Sequence, residues 1–489
     1  MIWSAMIAGQ MIEKPAVVFD REREWAALDR HCSRTHSPWL GIVSGRRRQG
    51  KTLLVEAVTR AKGGLYFCAA DQAPLQNLAD LGAAVTEWVG DGLPVTFSSW
   101  DHALAVVLEQ ATRRHAPVAF DEVGYLIHRF SAFPSLLQRH LDSRPANGAP
   151  VLLCGSAVSV LANLSGAGQP LRGRAALELV IHPFDAATTA AFWGITDPPV
   201  ALALWALLGG TPAYRRWCPA GPPRRSRELP AWIADHLLDV TSPLHREGRT
   251  VELEADDLTD RSAHLPVLSA IARGASTRTS IAAATGRSVS SLAPALDTLR
   301  ATGLVGATFD PLHDRRVRYD VTDPILRSWH ELIEPVERRL VHGDPLRIVE
   351  DLLPRVNRQI ATAWEQLVRE WVDRTAPAAV TGGAVTAVGA SAADSRQAMD
   401  SAGNQIDVVA VDRQPSGRRI VRLLGEAKHR TRPTGLSELQ RLELLRERLG
   451  TPQTRLLLAS TGGFNADLER VARQRGDIEL LDPTRLYNG

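Results

Sequence analysis

An eight-residue stretch, Gly45-Arg46-Arg47-Arg48-Gln49-Gly50-Lys51-Thr52, restricts this chain more than any other feature. It reads G-x-x-x-x-G-K-T, follows the apolar run Trp39-Leu40-Gly41-Ile42-Val43, and leads into Leu53–Val58, which has helical spacing. Strand, glycine-bounded loop and helix N-terminus in that order make a phosphate cradle. Backbone N–H groups and the positive end of the helix face a polyphosphate, bounded by Gly45 and Gly50; Lys51 reaches the β and γ oxygens and Thr52 ligates Mg2+. The expected ligand is a nucleoside triphosphate. A second run, Pro117-Val118-Ala119-Phe120, ends in Asp121-Glu122. Beside such a loop the first acid is expected to hold Mg2+ and the second to orient and deprotonate water, although Asp-Glu is also an ordinary turn. The run Val151–Cys154 ends in Gly155-Ser156, where a hydroxyl senses the γ-phosphate or caps a helix starting at Ala157.

Length and composition set the frame. With 489 residues the chain exceeds one core, and about three domains are expected. Apolar runs fall short of the roughly 18 residues of a membrane span, so no membrane partner is expected. The N-terminus lacks a basic stretch before its apolar one, which argues against a signal peptide, and Met11 is an alternative start. Cys32, Cys68, Cys154 and Cys218 are far apart, with no CxxC; they read as buried thiols of a cytoplasmic protein. A net charge of +3 leaves nucleic-acid binding to local clusters.

Three further stretches resemble one family. Phe19-Asp20-Arg21-Glu22-Arg23-Glu24 is similar to the opening motif of STAND and AAA-like ATPases, with Asp20 where the family has glycine. Leu171-Arg172-Gly173-Arg174, followed by Leu177-Glu178-Leu179 and Pro183-Phe184, resembles a signature of the archaeal-type ATPases. Gly209-Gly210-Thr211-Pro212 looks like the G-x-P motif that covers the adenine and ribose. The resemblance implies that Arg21, Arg174 and Pro212 lie at the nucleotide. Plainer readings make Gly-Gly-Thr-Pro a helix stop and give Arg172 or Arg174 to Glu178.

Beyond a basic connector at Pro219–Arg227, helical patterns cover 229–238, 265–272, 277–285 and 289–302. A ribbon opens at Gly303-Leu304-Val305 and returns through Val317–Val321, with Arg315, Arg316 and Arg318 at its loop. Three helices and a basic hairpin resemble a winged helix. The third helix begins in serines, with Arg287 and Arg300 as its charged arms, a poor set for reading bases, so an internal lever is the stronger expectation.

Asn404–Val411 reads as a strand carrying Asp407, and Ile420–Lys428 as a partner strand carrying Glu426 and Lys428, which share a face while Ala427 faces a core. The carboxylates are hard ligands for Mg2+, and the lysine can position water at a phosphodiester. This D-x18-E-x-K pattern resembles the PD-(D/E)xK nucleases, and its place in the chain resembles the DUF234 group. The resemblance adds Glu365 as an upstream metal-binding acid and Gln440 as a supporting polar residue. A fold kept for binding alone, with Glu426 and Lys428 as an ion pair, is the other reading.

The expected fold is α/β: an AAA/STAND-like P-loop ATPase core with the start of a helical lid (15–218), linker and lid (219–260), winged helix (261–335), and a restriction-endonuclease-like α/β domain (345–489). ATP and Mg2+ are the expected cofactors, DNA an expected partner through the last two domains, and homo-oligomers are allowed for. The expected function is a Mg2+-dependent switch ATPase coupled to a nuclease-like or DNA-binding domain; the alternative is a STAND-type regulator with an inert C-terminal domain.

Overall fold

The computed structural model describes residues 12–488 apart from 38, 91, 144–147, 157–168, 255–259 and 393–404. The helix expected from Ala157 falls outside the described residues. The chain divides into two compact units: one runs through Pro183 and includes Thr211–Ala213, and the other comprises Phe184–Gly210 and Tyr214 onward.

The first unit is built on a parallel sheet. After α1 (Glu22–Cys32) come β1 (Leu40–Ser44), α2 (Lys51–Ala61), β2 (Leu65–Cys68), α3 (Pro74–Val89), α4 (Trp100–Arg114), β3 (Val118–Asp121), α5 (Val123–Arg129), α6 (Phe133–Asp142), β4 (Val151–Cys154) and β5 (Ala175–Val180). The strand order is β2-β3-β4-β1-β5, all parallel. Helices cover both faces, so β1, β3 and β4 are buried throughout and read as apolar runs instead of alternating patterns. Leu40, Ile42, Phe120 and Leu153 join the core shared with α3, α4 and α6, while Val43, Ala119 and Leu152 pack with α1 and α2. Because β4 lies between β1 and β3, their carboxyl ends carry the phosphate loop, Ser156 and Asp121-Glu122 side by side. Cys32, Cys154 and Cys218 are buried as expected, but Cys68 is exposed: it is the last residue of β2, an edge strand.

The second unit opens with α7 (Ala186–Trp193) and α8 (Pro198–Leu208), and every residue of α8 from Val200 to Leu208 is buried. Three helices follow α9 (Pro243–Leu253): α10 (Arg261–Ala272), α11 (Arg278–Thr285) and α12 (Ala293–Ala301). Thr277 and Ser280 form a reciprocal capping box that starts α11, and Gly286, with φ of 67°, ends it. An antiparallel ribbon of β6 (Val305–Phe309) and β7 (Val317–Val321) comes next. The 30-residue α13 (Pro345–Arg374) is capped by Asp344, which accepts from the Leu346 N–H. It packs Ile360, Trp364, Leu367 and Val368 against one face of a sheet of order β12-β11-β10-β9-β8. That sheet contains β8 (Ala387–Ala392), β9 (Gln405–Arg413) and β10 (Arg419–Lys428) as an antiparallel meander. After α14 (Leu436–Arg448), the parallel strands β11 (Arg455–Ser460) and β12 (Ile478–Leu481) complete it, with α15 (Ala466–Gln474) between them. Leu439, Leu442 and Leu445 of α14 cover the other face.

Candidate functional site

The loop between β1 and α2 is shaped by its two glycines. A Cβ at Gly45 (φ 145°) would stand 2.4 Å from the Ile181 carbonyl oxygen, so no other residue fits there without a shift. Gly50 (φ 87°) takes the N-cap position of α2, so no N-cap side chain competes for the first N–H groups, and the first turn holds no acid. Those donors and the helix dipole are therefore available to an anion. Lys51 is 5% exposed. Its ammonium donates to the Arg46 carbonyl at 2.7 Å, and burial lowers its pKa below the usual lysine value. Thr52, next along, is exposed.

Asp121, fully buried, accepts from the Tyr66 hydroxyl and from the Glu122 N–H, each at 2.8 Å. Glu122 adopts a left-handed backbone (φ 48°) at the turn from β3 into α5, a conformation costly for a residue with a Cβ and often found at reacting positions. Burial, with Asp121 beside it, raises the Glu122 pKa. Ser156 links the cluster: its hydroxyl donates to Glu122 at 3.4 Å and accepts from Arg47 Nε at 3.3 Å, while Arg47 also donates to the Tyr125 hydroxyl at 2.9 Å. Lysine, hydroxyl and two acids thus converge, and Arg47 and Tyr66 join them without having been singled out in the sequence. A triphosphate and Mg2+ fit this donor set: Gly45, Gly50 and Lys51 for phosphate oxygens, Thr52 and Asp121 for the cation.

The remaining expected nucleotide residues have partners within the protein. Arg21 is 7% exposed and donates to the His182 carbonyl at 2.6 Å and to Glu24 at 3.1 Å. Asp20, where the family has glycine, keeps the left-handed backbone (φ 54°) that glycine would supply. Arg174 gives a two-pronged bond to Asp142, at 2.6 and 2.7 Å, and not to Glu178. Pro212 begins a short 3-10 turn, and the preceding Thr211 accepts from Gln49 Nε2 at 2.9 Å. That buried bond joins the phosphate loop to the Gly-Gly-Thr-Pro segment.

A second cluster lies in the C-terminal sheet. The β9–β10 pairing places Val408 opposite Gly425, so Asp407 and Glu426 are neighbours, and Asp407 Oδ2 accepts from the Ala427 N–H at 3.1 Å. Ala427 packs in the core as its alternation with Glu426 and Lys428 implies. Lys428 pairs with Glu426 Oε1 and stands 3.8 Å from Asp407. Glu365 of α13 belongs to the same group: burial, followed by the Asp407 charge, pushes its pKa up to about 7. Arg369, one turn on, stands 3.6 Å from Glu365 and donates to the Asp407 carbonyl at 2.9 Å. Gln440 is exposed and takes no part; its neighbour Arg441 faces the cluster and pairs with Glu426 Oε2. Both Glu426 oxygens therefore carry cations, and among the described residues no three His, Cys, Asp or Glu side chains are grouped to hold a metal ion. In this arrangement the trio does not fit a divalent ion, because Glu426 is already neutralised.

The hairpin loop is held to this sheet. Asp310, 2% exposed, accepts from Ser391 Oγ at 2.6 Å, and Asp314 pairs with Arg413 at 2.8 Å and with Arg419. Arg315 and Arg316 are exposed and Arg318 is half-buried. Arg318 lines a cavity of about 540 Å³, with Thr308, Glu365, Arg369, Arg374 and Gln405 among its walls.

No family model matches the chain, and no curated protein matches it. Among solved structures it is similar to the ORC2 protein of Aeropyrum pernix, at 16% identity over 71% of this chain and 97% of that one, with a TM-score of 0.44. Cdc6p of Pyrobaculum aerophilum is 13% identical over 71% and 97%, with a TM-score of 0.31. VC1899 of Vibrio cholerae is 13% identical over 94% and 92%, with a TM-score of 0.19. Likeness this slight carries no argument about function, which rests on the chain's own residues.

Proposed function

We propose that this chain is an ATP-binding, Mg2+-dependent switch ATPase whose nucleotide state acts on a C-terminal nuclease-like or DNA-binding domain. The observation that carries the reading is the loop itself: a glycine-bounded turn leading into a helix with no side-chain N-cap, and a buried Lys51 whose ammonium donates to a loop carbonyl. A buried ammonium stabilises charge strongly once phosphate replaces that carbonyl. Lys51 would leave Arg46 for the β and γ oxygens, and Thr52 and Asp121 would hold the cation, which supplies charge neutralisation at the phosphates. Glu122 would take a proton from the attacking water, a role its raised pKa serves. Ser156, bonded to both Glu122 and Arg47, would register the γ-phosphate through either neighbour. Calorimetric titration with ATP and Mg2+ tests this: Lys51→Ala should bind far more weakly than wild type, and equal affinities would remove the assignment.

The regulator reading, with an inert C-terminal domain, is favoured by two observations. Glu426 is doubly ion-paired, and the hairpin loop that would touch DNA spends its acids on the β8–β10 meander. Asp407-dependent cleavage of plasmid in Mg2+ by the full chain separates the two.

A further inference from the structure

The basic connector carries charge that the fold does not use. From Pro198 to Ala234 the sequence holds five arginines and a single acid, Glu228. The segment is anchored. Cys218 and Pro223 are buried, the Gly221 N–H donates to the Cys218 carbonyl at 2.9 Å, and the Trp232 indole donates to the Gly221 carbonyl at 3.1 Å. Arg215 serves the fold, donating to the Phe192 carbonyl with its guanidinium 5.0 Å from the centre of that ring. Glu228 is engaged as well, since its carboxylate accepts from the Arg224 N–H at 2.8 Å. Arg216, Arg224, Arg225 and Arg227 are exposed, and among the described residues none of their guanidinium groups has an ion pair or hydrogen bond. Elsewhere in this unit arginines are matched: Arg413, Arg422 and Arg446 each pair with an aspartate. The unmatched charge is therefore local, in a chain whose basic and acidic residues number 57 and 54.

We propose that Arg216, Arg224, Arg225 and Arg227 form a docking surface for the phosphate backbone of a nucleic-acid duplex, bound without regard to base sequence. Guanidinium forks match phosphate oxygens in two-pronged fashion. Arg224 follows Arg216 by eight residues, so their Cα atoms lie no more than about 28 Å apart, within one turn of a double helix, about 34 Å. Other anionic partners lack what they need here. Single strands use exposed aromatic platforms, whereas Trp217 is half-buried and stacked on Tyr214 with ring centres 5.5 Å apart. A lipid surface needs apolar side chains that insert, and among the described residues no large hydrophobic side chain is exposed between Val180 and Val240. The same lack leaves an acidic protein without anchors. The surface lies on the connector and needs neither the C-terminal carboxylates nor the hairpin arginines.

The test follows a short labelled DNA duplex by fluorescence anisotropy with the full chain, in two unrelated sequences and from about 50 to about 200 mM salt. Nucleotide is omitted, so the outcome does not depend on the phosphate loop. Arg216→Ala, Arg224→Ala, Arg225→Ala and Arg227→Ala combined are expected to weaken binding about tenfold or more for both sequences and to lower the salt slope by about 2–4. Arg224→Ala with Arg225→Ala alone, which keeps the test open if the fourfold variant does not fold, should lower the slope by about half as much. Four lysines in place of the arginines keep the charge and should keep the slope. An RNA duplex bound with the same arginine dependence would support the surface and widen its partner to either backbone. Affinity and slope unchanged by the alanines would overturn the proposal, as would a loss confined to one sequence. Oligothymidylate bound more tightly than the duplex, with the same arginine dependence, would overturn the choice of a double strand. Arginine-dependent binding to phosphatidylglycerol vesicles without duplex binding would assign the surface to lipid and overturn it as well.

Discussion

Glu365→Gln should stabilise the C-terminal unit in a pH-dependent way. Burial, aided by Asp407, raises the Glu365 pKa from 4.5 to about 7. The sign follows from which state holds the proton: between those values the folded chain keeps it and the unfolded chain has lost it. Wild-type stability therefore falls as pH climbs from 4.5 through about 7 and levels off above. At about 1.4 kcal/mol per pKa unit the full shift corresponds to roughly 3 kcal/mol. The side chain is 31% exposed, and solvent screening lowers this to about 1.5–3 kcal/mol. Glutamine removes the titration and keeps the shape. Urea unfolding of wild type and Glu365→Gln at about pH 4 and about pH 8, following the transition of this unit, reads the difference directly. The variant should gain about 1.5–3 kcal/mol on wild type between the two conditions. A stability difference unchanged between them would refute the reasoning.

Other outcomes follow from the same geometry. Glu122→Gln should bind ATP and hold it unhydrolysed, and wild-type turnover in a phosphate-release assay would show that another group activates water. Gly45→Ala should cost about 2 kcal/mol or more, because its Cβ would meet the Ile181 oxygen at 2.4 Å on a backbone of φ 145°, and should abolish ATP binding. Normal melting and normal affinity would show that the loop relaxes freely. Replacing Arg315, Arg316 and Arg318 with alanine should weaken DNA binding equally across sequences and lower the salt slope by up to about three. An unchanged slope would assign these arginines to packing.

The parts legible in the sequence are those whose chemistry is local. The phosphate loop could be read because glycine, glycine and lysine act through a backbone turn only eight residues long, and the flanking strand and helix are continuous with it. Asp407 and Glu426 could be paired because a hairpin turn fixes the register of neighbouring antiparallel strands. Residues brought in from a distance were not legible. Tyr66 reaches Asp121 because β2 and β3 are neighbours in space, and Arg369 reaches Asp407 because α13 crosses the meander. Arg441 shows the limit most narrowly: the helix was expected to supply a polar residue, and its phase presents Arg441 in place of Gln440. One residue of helix is about 100° of rotation, which the weak apolar stripe of α14 does not fix. Cys68 misled for a related reason, since an apolar strand does not announce that it forms a sheet edge.

The bond between Gln49 and Thr211 bears on how this protein can be taken apart. Thr211–Ala213 belongs to the first compact unit, yet the chain on either side of it belongs to the second. A fragment ending at Pro183 would look like a natural excision product, but it would lack Thr211 and strand a buried amide in the middle of the phosphate loop. A single proteolytic nick at Pro183–Phe184 would leave Thr211–Ala213 on the C-terminal piece and its partner Gln49 on the N-terminal one. Exchange of the N-terminal module between proteins by simple end-to-end fusion is blocked for the same reason. The glycine-bounded loop and the Thr211–Ala213 segment have to be inherited together.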